Sequence, residues 1–207
     1  MANLRLADGR TLEYLVTGPA AGTPLVLHHG TPGAALQFEP QVAAATRHGL
    51  RVVSYSRPGY AGSSPHHGRS VAAAAADVAA LLDELGAGRF LTVGWSGGGP
   101  HALACAALLP GRCLAAATVA GVAPHDADGL DWLAGMGAEN VEEFGAALAG
   151  AEPLTAFLEA AAPELATVAM KSAPPTFIRL PASNVRRTPK RLTAMATTGP
   201  GSPDMMM

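Results

Sequence analysis

Residues 93–99 read Val93-Gly94-Trp95-Ser96-Gly97-Gly98-Gly99. The stretch follows an apolar run, Phe90-Leu91-Thr92-Val93, and precedes a segment that predicts a helix. That helix has Pro100 in its first turn, Leu103, Leu108 and Leu109 along it, and Pro110-Gly111 as its stop. Gly94, Ser96 and Gly98 spell G-x-S-x-G, and a strand before it with a helix after it is the context that gives the pattern meaning. A chain that turns from strand to helix this sharply forces Ser96 into a strained backbone conformation. It also brings residues 94 and 98 so close that a side chain on either would clash. The result is an exposed hydroxyl beside a helix N-terminus, whose free N–H groups and positive dipole end favour an oxyanion. A glycine-rich turn with an incidental serine is the plainer reading. The position after the third apolar run of a regular pattern, with three glycines following, weighs against it.

Upstream, the short runs Pro24–His28 and Arg51–Tyr55 resemble Phe90–Val93, and Leu114–Ala120 follows downstream. Continuous apolar runs of this length suit strands buried on both faces of a parallel sheet. Helical stretches separate them. The clearest has Ser70 as its predicted N-cap, Val71, Val78, Leu81, Leu82 and Leu85 on one stripe, and Gly86 at its end. The N-terminus differs: Leu4 and Leu6, the turn Asp8-Gly9, then Leu12, Tyr14 and Val16 alternate as an antiparallel hairpin does. The predicted fold class is α/β, a mostly parallel sheet with an N-terminal antiparallel hairpin and flanking helices.

From residue 125 helical patterns stand alone. Asn140 with Glu143 reads as a capping pair, Val141, Phe144 and Leu148 repeat at helical spacing, and Pro153 and Pro163 each read as first-turn prolines of short helices. The expected organisation is a core over residues 1–124, a helical lid over 125–170, and a disordered tail over 171–207. The tail carries six of the fourteen Lys and Arg residues, only one of the sixteen acids, and recurrent prolines. This shift of composition fits out-of-frame translation.

A second loop follows the first parallel strand: His28-His29-Gly30-Thr31-Pro32-Gly33. Its glycines allow tight folding, and it can aim the Thr31 N–H at the same point as the Gly97 N–H. Two converging amides make an oxyanion hole; Pro32 has no N–H to give. A third stretch, Arg57-Pro58-Gly59-Tyr60-Ala61-Gly62-Ser63-Ser64, lies after the next strand.

With these three motifs the chain resembles the α/β-hydrolase family over roughly residues 10–170, and most the proline-iminopeptidase, haloperoxidase and esterase branch. Members of that branch carry a similar His-Gly-x-Pro-Gly loop and an Arg-Pro-Gly-x-Gly-x-Ser loop, the latter here in slightly variant order. The resemblance implies that Ser96 is the nucleophile, that the Thr31 and Gly97 amides form the oxyanion hole, and that Gly94 and Gly98 support the elbow. It also implies an acid and then a histidine after the last two strands. Neither strand is visible, and all seven histidines (28, 29, 48, 66, 67, 101 and 125) lie at or before position 125. The triad acid and histidine are therefore unassigned, and the chain is expected to be truncated before them. His125 and Asp126 are the weak substitutes. His101 should point away from the serine, His28 and His29 should support the loop, and His66 and His67 should lie on the surface.

Composition narrows the alternatives. A net charge of −2 gives no pull toward nucleic acid or an anionic membrane. The opening residues lack a basic start followed by an apolar run, so no signal peptide is expected from them, and the weakly polar stretch 102–122 is interrupted by Pro110, Gly111 and Arg112. Cys105 and Cys113 alone make neither a disulfide framework nor a metal site, which fits a reducing cytoplasm. The expected activity is serine hydrolysis of small ester or amide substrates through an acyl-enzyme, with no cofactor. The alternatives are an inactive fragment and a cofactor-free haloperoxidase or lyase on the same scaffold. Dinucleotide binding is disfavoured, because residues 94–99 do not spell G-x-G-x-x-G and no acid sits at a strand end about 20 residues on.

Overall fold

A computed structural model describes residues 1–171, with side chains described as far as residue 163. Alternation at the N-terminus produces the hairpin β1 (Ala2–Arg5) and β2 (Thr11–Thr17), closed over Gly9 at φ +86°. The apolar runs become β3 (Thr23–His28), β4 (Leu50–Tyr55), β5 (Phe90–Trp95) and β6 (Cys113–Val119). The six strands form one sheet in the order β1-β2-β4-β3-β5-β6. The pairs β4–β3, β3–β5 and β5–β6 are parallel, and β1–β2 and β2–β4 are antiparallel. This is the mixed, mostly parallel sheet that the run pattern predicts.

The chain leaves β3 toward β4 on one side and later reaches β5 on the other. At such a reversal of direction the loops after adjacent parallel strands leave a crevice at the carboxyl edge. The register pairs His28 with Gly94 and Leu27 with Ser54. The loops following β3, β4 and β5 therefore emerge side by side, and all three sequence motifs lie on them.

Three helices flank the sheet: α1 (Glu39–Arg47), α2 (Ala73–Glu84) and α3 (Gly99–Leu108). Successive strand residues point to opposite faces. Val26 and Val53 pack with Val78, Leu81, Leu82, Phe90 and Cys105, whereas Leu27 and Val52 pack with Ala45, Val42 and Val93. Arg10 ties the hairpin to α2, its Nη2 lying 2.7 Å from Oδ1 of the buried Asp77.

Three details differ from the sequence reading. Ser70 is not the N-cap of α2: the cap is Ala72, with no side-chain bond, and only the Ser70 carbonyl takes part, accepting from Ala73 N–H. Asn140 lies inside α4 (Ala138–Ala149), whose cap is Gly137. Pro163 does not open a helix of its own but lies within a single α5 (Ala151–Lys171), near whose start Pro153 falls as expected. One helix, α1, had no prediction.

The chain divides into two units, residues 1–132 and residues 133 onward; within the described part of the second, α4 packs on α5. No described helix is long and apolar enough to cross a membrane. Residues 172–207, nearly all of the expected tail, lie outside the described residues.

Candidate active site

Trp95, the last residue of β5, is extended (φ −102°, ψ 133°), and Ser96 then takes φ +49° before a 3₁₀ turn over Ser96–Gly98 leads into α3. A non-glycine residue in that region costs on the order of 1–3 kcal/mol and persists only where its surroundings enforce it. A Cβ on Gly94 would stand 2.2 Å from the Gly98 carbonyl oxygen, and a Cβ on Gly98 would stand 2.1 Å from the His28 carbonyl oxygen. Neither position admits a side chain, as the motif reading requires. Ser96 is half-buried rather than sunk in the core.

The loop after β3 comes against this turn. A Cβ on Gly97 would lie 2.7 Å from Thr31 Oγ1 and 3.7 Å from the Thr31 amide nitrogen, and one on Gly30 would lie 3.4 Å from the Ser96 Cβ. The structure thus brings Ser96, Gly97 and Thr31 together.

His28 and His29 are committed to holding this loop. His28 is 1% exposed, its Nδ1 is 3.0 Å from the Tyr55 hydroxyl, and its Nε2 is 2.9 Å from Thr92 Oγ1. Thr92 Oγ1 donates to the Val26 carbonyl at 3.3 Å, so it accepts from His28 Nε2–H, and Tyr55 donates to Nδ1. At His29 the Arg57 amide donates to Nε2 at 3.0 Å; the ring proton is then on Nδ1 and donates to the Gly30 carbonyl at 2.6 Å. Burial first, then nearby positive charge, pulls these rings down to about 3 and about 4.

No histidine is placed as a base for Ser96. His101 is buried, with Nδ1 3.0 Å from the Gly97 carbonyl and Nε2 3.4 Å from Arg69 Nη1; burial, followed by the Arg57 charge, pulls it down to about 4. Both nitrogens are engaged, and so low a basicity makes poor general-base chemistry. His125 is exposed and stands edge-on to Trp132 at 6.4 Å, and Asp126 is exposed. Neither is brought to the serine by a hydrogen bond. His67 is exposed and His66 half-buried. Among the described residues no group of three His, Cys, Asp or Glu side chains is set to hold a metal.

A model of the alpha/beta hydrolase fold matches residues 23–197. The chain belongs to the α/β-hydrolase family. It is 36% identical over 151 residues to a non-heme chloroperoxidase of Streptomyces lividans, covering 72% of this chain and 55% of that protein. An uncharacterized hydrolase of Bacillus subtilis is 36% identical over 105 residues, 51% of this chain and 36% of that one. A solved hydrolase from Pseudomonas aeruginosa superposes with a TM-score of 0.60 at 25% identity, over 84% of this chain and 62% of its own. An esterase from a Rhodococcus superposes with a TM-score of 0.50 at 31% identity, over 58% of this chain and 45% of its own. The chain spans about half the length, or less, of the curated relatives it matches.

Within this α/β-hydrolase the residue that sequence reasoning missed is Arg57. It was visible only as the first letter of a motif. In the structure it is 2% exposed, contacts His29, Gly30 and Thr31, and has the Tyr60 ring 5.3 Å from its guanidinium carbon. The available signal was its place two residues after the buried end of β4, where a charged side chain must find partners inside the molecule.

Proposed function

We propose that the chain carries the nucleophile and oxyanion hole of a serine hydrolase acting on small ester or amide substrates. The observation that carries this reading is the left-handed Ser96 set against Gly97 and Thr31. The Ser96 hydroxyl would attack the substrate carbonyl carbon. The carbonyl oxygen would collect negative charge between the Thr31 and Gly97 amides, and loss of the alcohol or amine would leave an acyl-enzyme for water to cleave. The chloroperoxidase and esterase likenesses accord with small substrates. In this reading residues 125–170 act as a lid, no cofactor takes part, and the free thiols Cys105 and Cys113 fit a cytoplasmic setting.

A second reading is favoured by one observation. Among the described residues no imidazole or carboxylate bonds the Ser96 hydroxyl. Without a base a serine hydroxyl is a weak nucleophile, and losing a triad member costs several orders of magnitude in rate. The chain would then keep the pocket without turnover.

Titration with a fluorophosphonate, read by intact-protein mass and followed by p-nitrophenyl acetate turnover, separates the two. One adduct per chain, absent from Ser96→Ala, together with ester turnover is the result expected of the hydrolase. A folded protein that neither labels nor turns over overturns the first reading and leaves the second.

A further inference from the structure

Arg57 is a buried cation with no carboxylate in hydrogen-bond or ion-pair contact among the described residues. Its two Nη groups bond instead to one strand–helix loop, while the buried Nε has no hydrogen-bond partner among the described residues. Nη1 donates to the His29 carbonyl, and Nη2 donates to the Gly30 carbonyl at 3.1 Å and to Thr31 Oγ1 at 2.9 Å. The guanidinium is a rigid planar fork that stays protonated in proteins, so three acceptors on consecutive residues fix the loop relative to it. Burial pulls its pKa below the ordinary arginine value, and the neighbouring Tyr60 and Tyr55 oppose that shift.

The Gly30 contact has a covalent consequence. The Gly30 C=O and the Thr31 N–H belong to one planar trans peptide unit and point in opposite directions. Holding the oxygen on Arg57 turns the Thr31 N–H away from the guanidinium, and Gly97 lies close to that nitrogen.

The chain on either side of Arg57 is held by the neighbouring strand β2. Ser56 Oγ donates to Glu13 Oε2 at 2.7 Å and accepts from Ala35 N–H at 2.9 Å. Ser63 Oγ accepts from the Glu13 amide at 2.9 Å and donates to the Ser56 carbonyl at 2.6 Å, and Ser64 Oγ accepts from the Thr11 amide at 3.0 Å. The loop 57–64 is thus stapled to β2 and carries a cation that grips the loop after β3.

We propose that Arg57 is the positioning residue of the oxyanion hole: it fixes the direction of the Thr31 N–H through the Gly30 carbonyl. The inference rests on the reading of Ser96 and Thr31 given above, and its test does not depend on the reactivity of Ser96. The measurement is the backbone N–H residual dipolar couplings of Thr31, Gly97 and the β5 amides in the wild-type chain, Arg57→Lys and Arg57→Gln. The wild-type Thr31 coupling should match the orientation in the structure. In Arg57→Gln it should move toward zero while the β5 couplings stay. Arg57→Lys, with one ammonium for two carbonyls, should fall between them. Where the wild type labels with fluorophosphonate, Arg57→Gln should label about 10²-fold more slowly at saturation with unchanged half-saturation, the cost of losing one oxyanion donor. An unchanged Thr31 coupling in either folded variant overturns the proposal. So does a wild-type coupling that contradicts the structure, a result that needs no variant to fold. A wild type that fails to label but shows the expected couplings ends the nucleophile reading and keeps this one.

Discussion

At Ser96 a single backbone angle, φ +49°, separates the serine of the turn from an ordinary strand residue, and the glycines two residues to either side make that angle attainable. Gly98→Ala is the direct test. Its new methyl would meet the His28 and His29 carbonyl oxygens, at 2.1 and 2.7 Å, and both belong to backbone that cannot swing aside. Denaturant titration should register a loss of about 2–4 kcal/mol, in the range of overpacking plus backbone strain, and Ser96 labelling should vanish with it. Gly111→Ala, where a Cβ meets nothing within 4 Å, is the control and should leave both unchanged. This part of the site was legible because the constraint is local: Gly94, Ser96 and Gly98 lie within five residues of chain. Arg57 was not, because its acceptors on residues 29–31 are brought to it by the pairing of β3 with β4, a contact no local window contains.

Elements were legible to the degree that burial wrote a period into them. The strands β3, β4 and β5 form the parallel interior of the sheet and read as short, mostly apolar runs. Helix α1 buries little beyond Ala45, with Val42 packed beside it, so its nine residues carry almost no stripe. The caps at Ser70 and Asn140 failed for another reason: neither α2 nor α4 uses a side chain to cap its first turn. Another unforeseen tie is that between the hairpin and α2. Arg10 donates from Nη2 and Nη1 to the two Asp77 oxygens, at 2.7 and 3.3 Å, and from Nε to Asp8 at 2.7 Å. Removing one partner of a buried pair strands the other's charge. Arg10→Met, which leaves the buried Asp77 carboxylate without its partner, should therefore cost about 3–5 kcal/mol, whereas adding Asp77→Leu should recover most of that loss. Urea unfolding of the two single variants and the double variant checks this; a double variant as unstable as the sum of the singles contradicts it.

Across the whole molecule, acid sensitivity should come from three rings gathered near the carboxyl edge of the sheet. In the folded chain burial holds His28 at about 3, His29 at about 4 and His101 at about 4, against an ordinary value of 6.5. Above pH 6.5 both folded and unfolded chains leave these rings neutral, and they make stability independent of pH. As the pH falls through 6.5 the unfolded chain binds three protons that the folded chain refuses, so stability must fall. Each proton contributes at most about 1.4 kcal/mol per pH unit, and His29, which keeps some solvent contact, contributes less. The loss ends only near pH 4 and 3, where the folded rings would charge. Protonating His29 there would also turn its Nε2 into a donor facing the Arg57 amide donor, breaking the bond that links the two loops. The urea midpoint should thus be flat from pH 8.5 to 7 and drop steeply between 6.5 and 5, with a shallower drop in His101→Gln. In the native chain the ring signals of His28, His29 and His101 should not titrate across that interval. A native ring at 28, 29 or 101 titrating near 6.5, or a midpoint that rises on acidification, contradicts the burial on which this account depends.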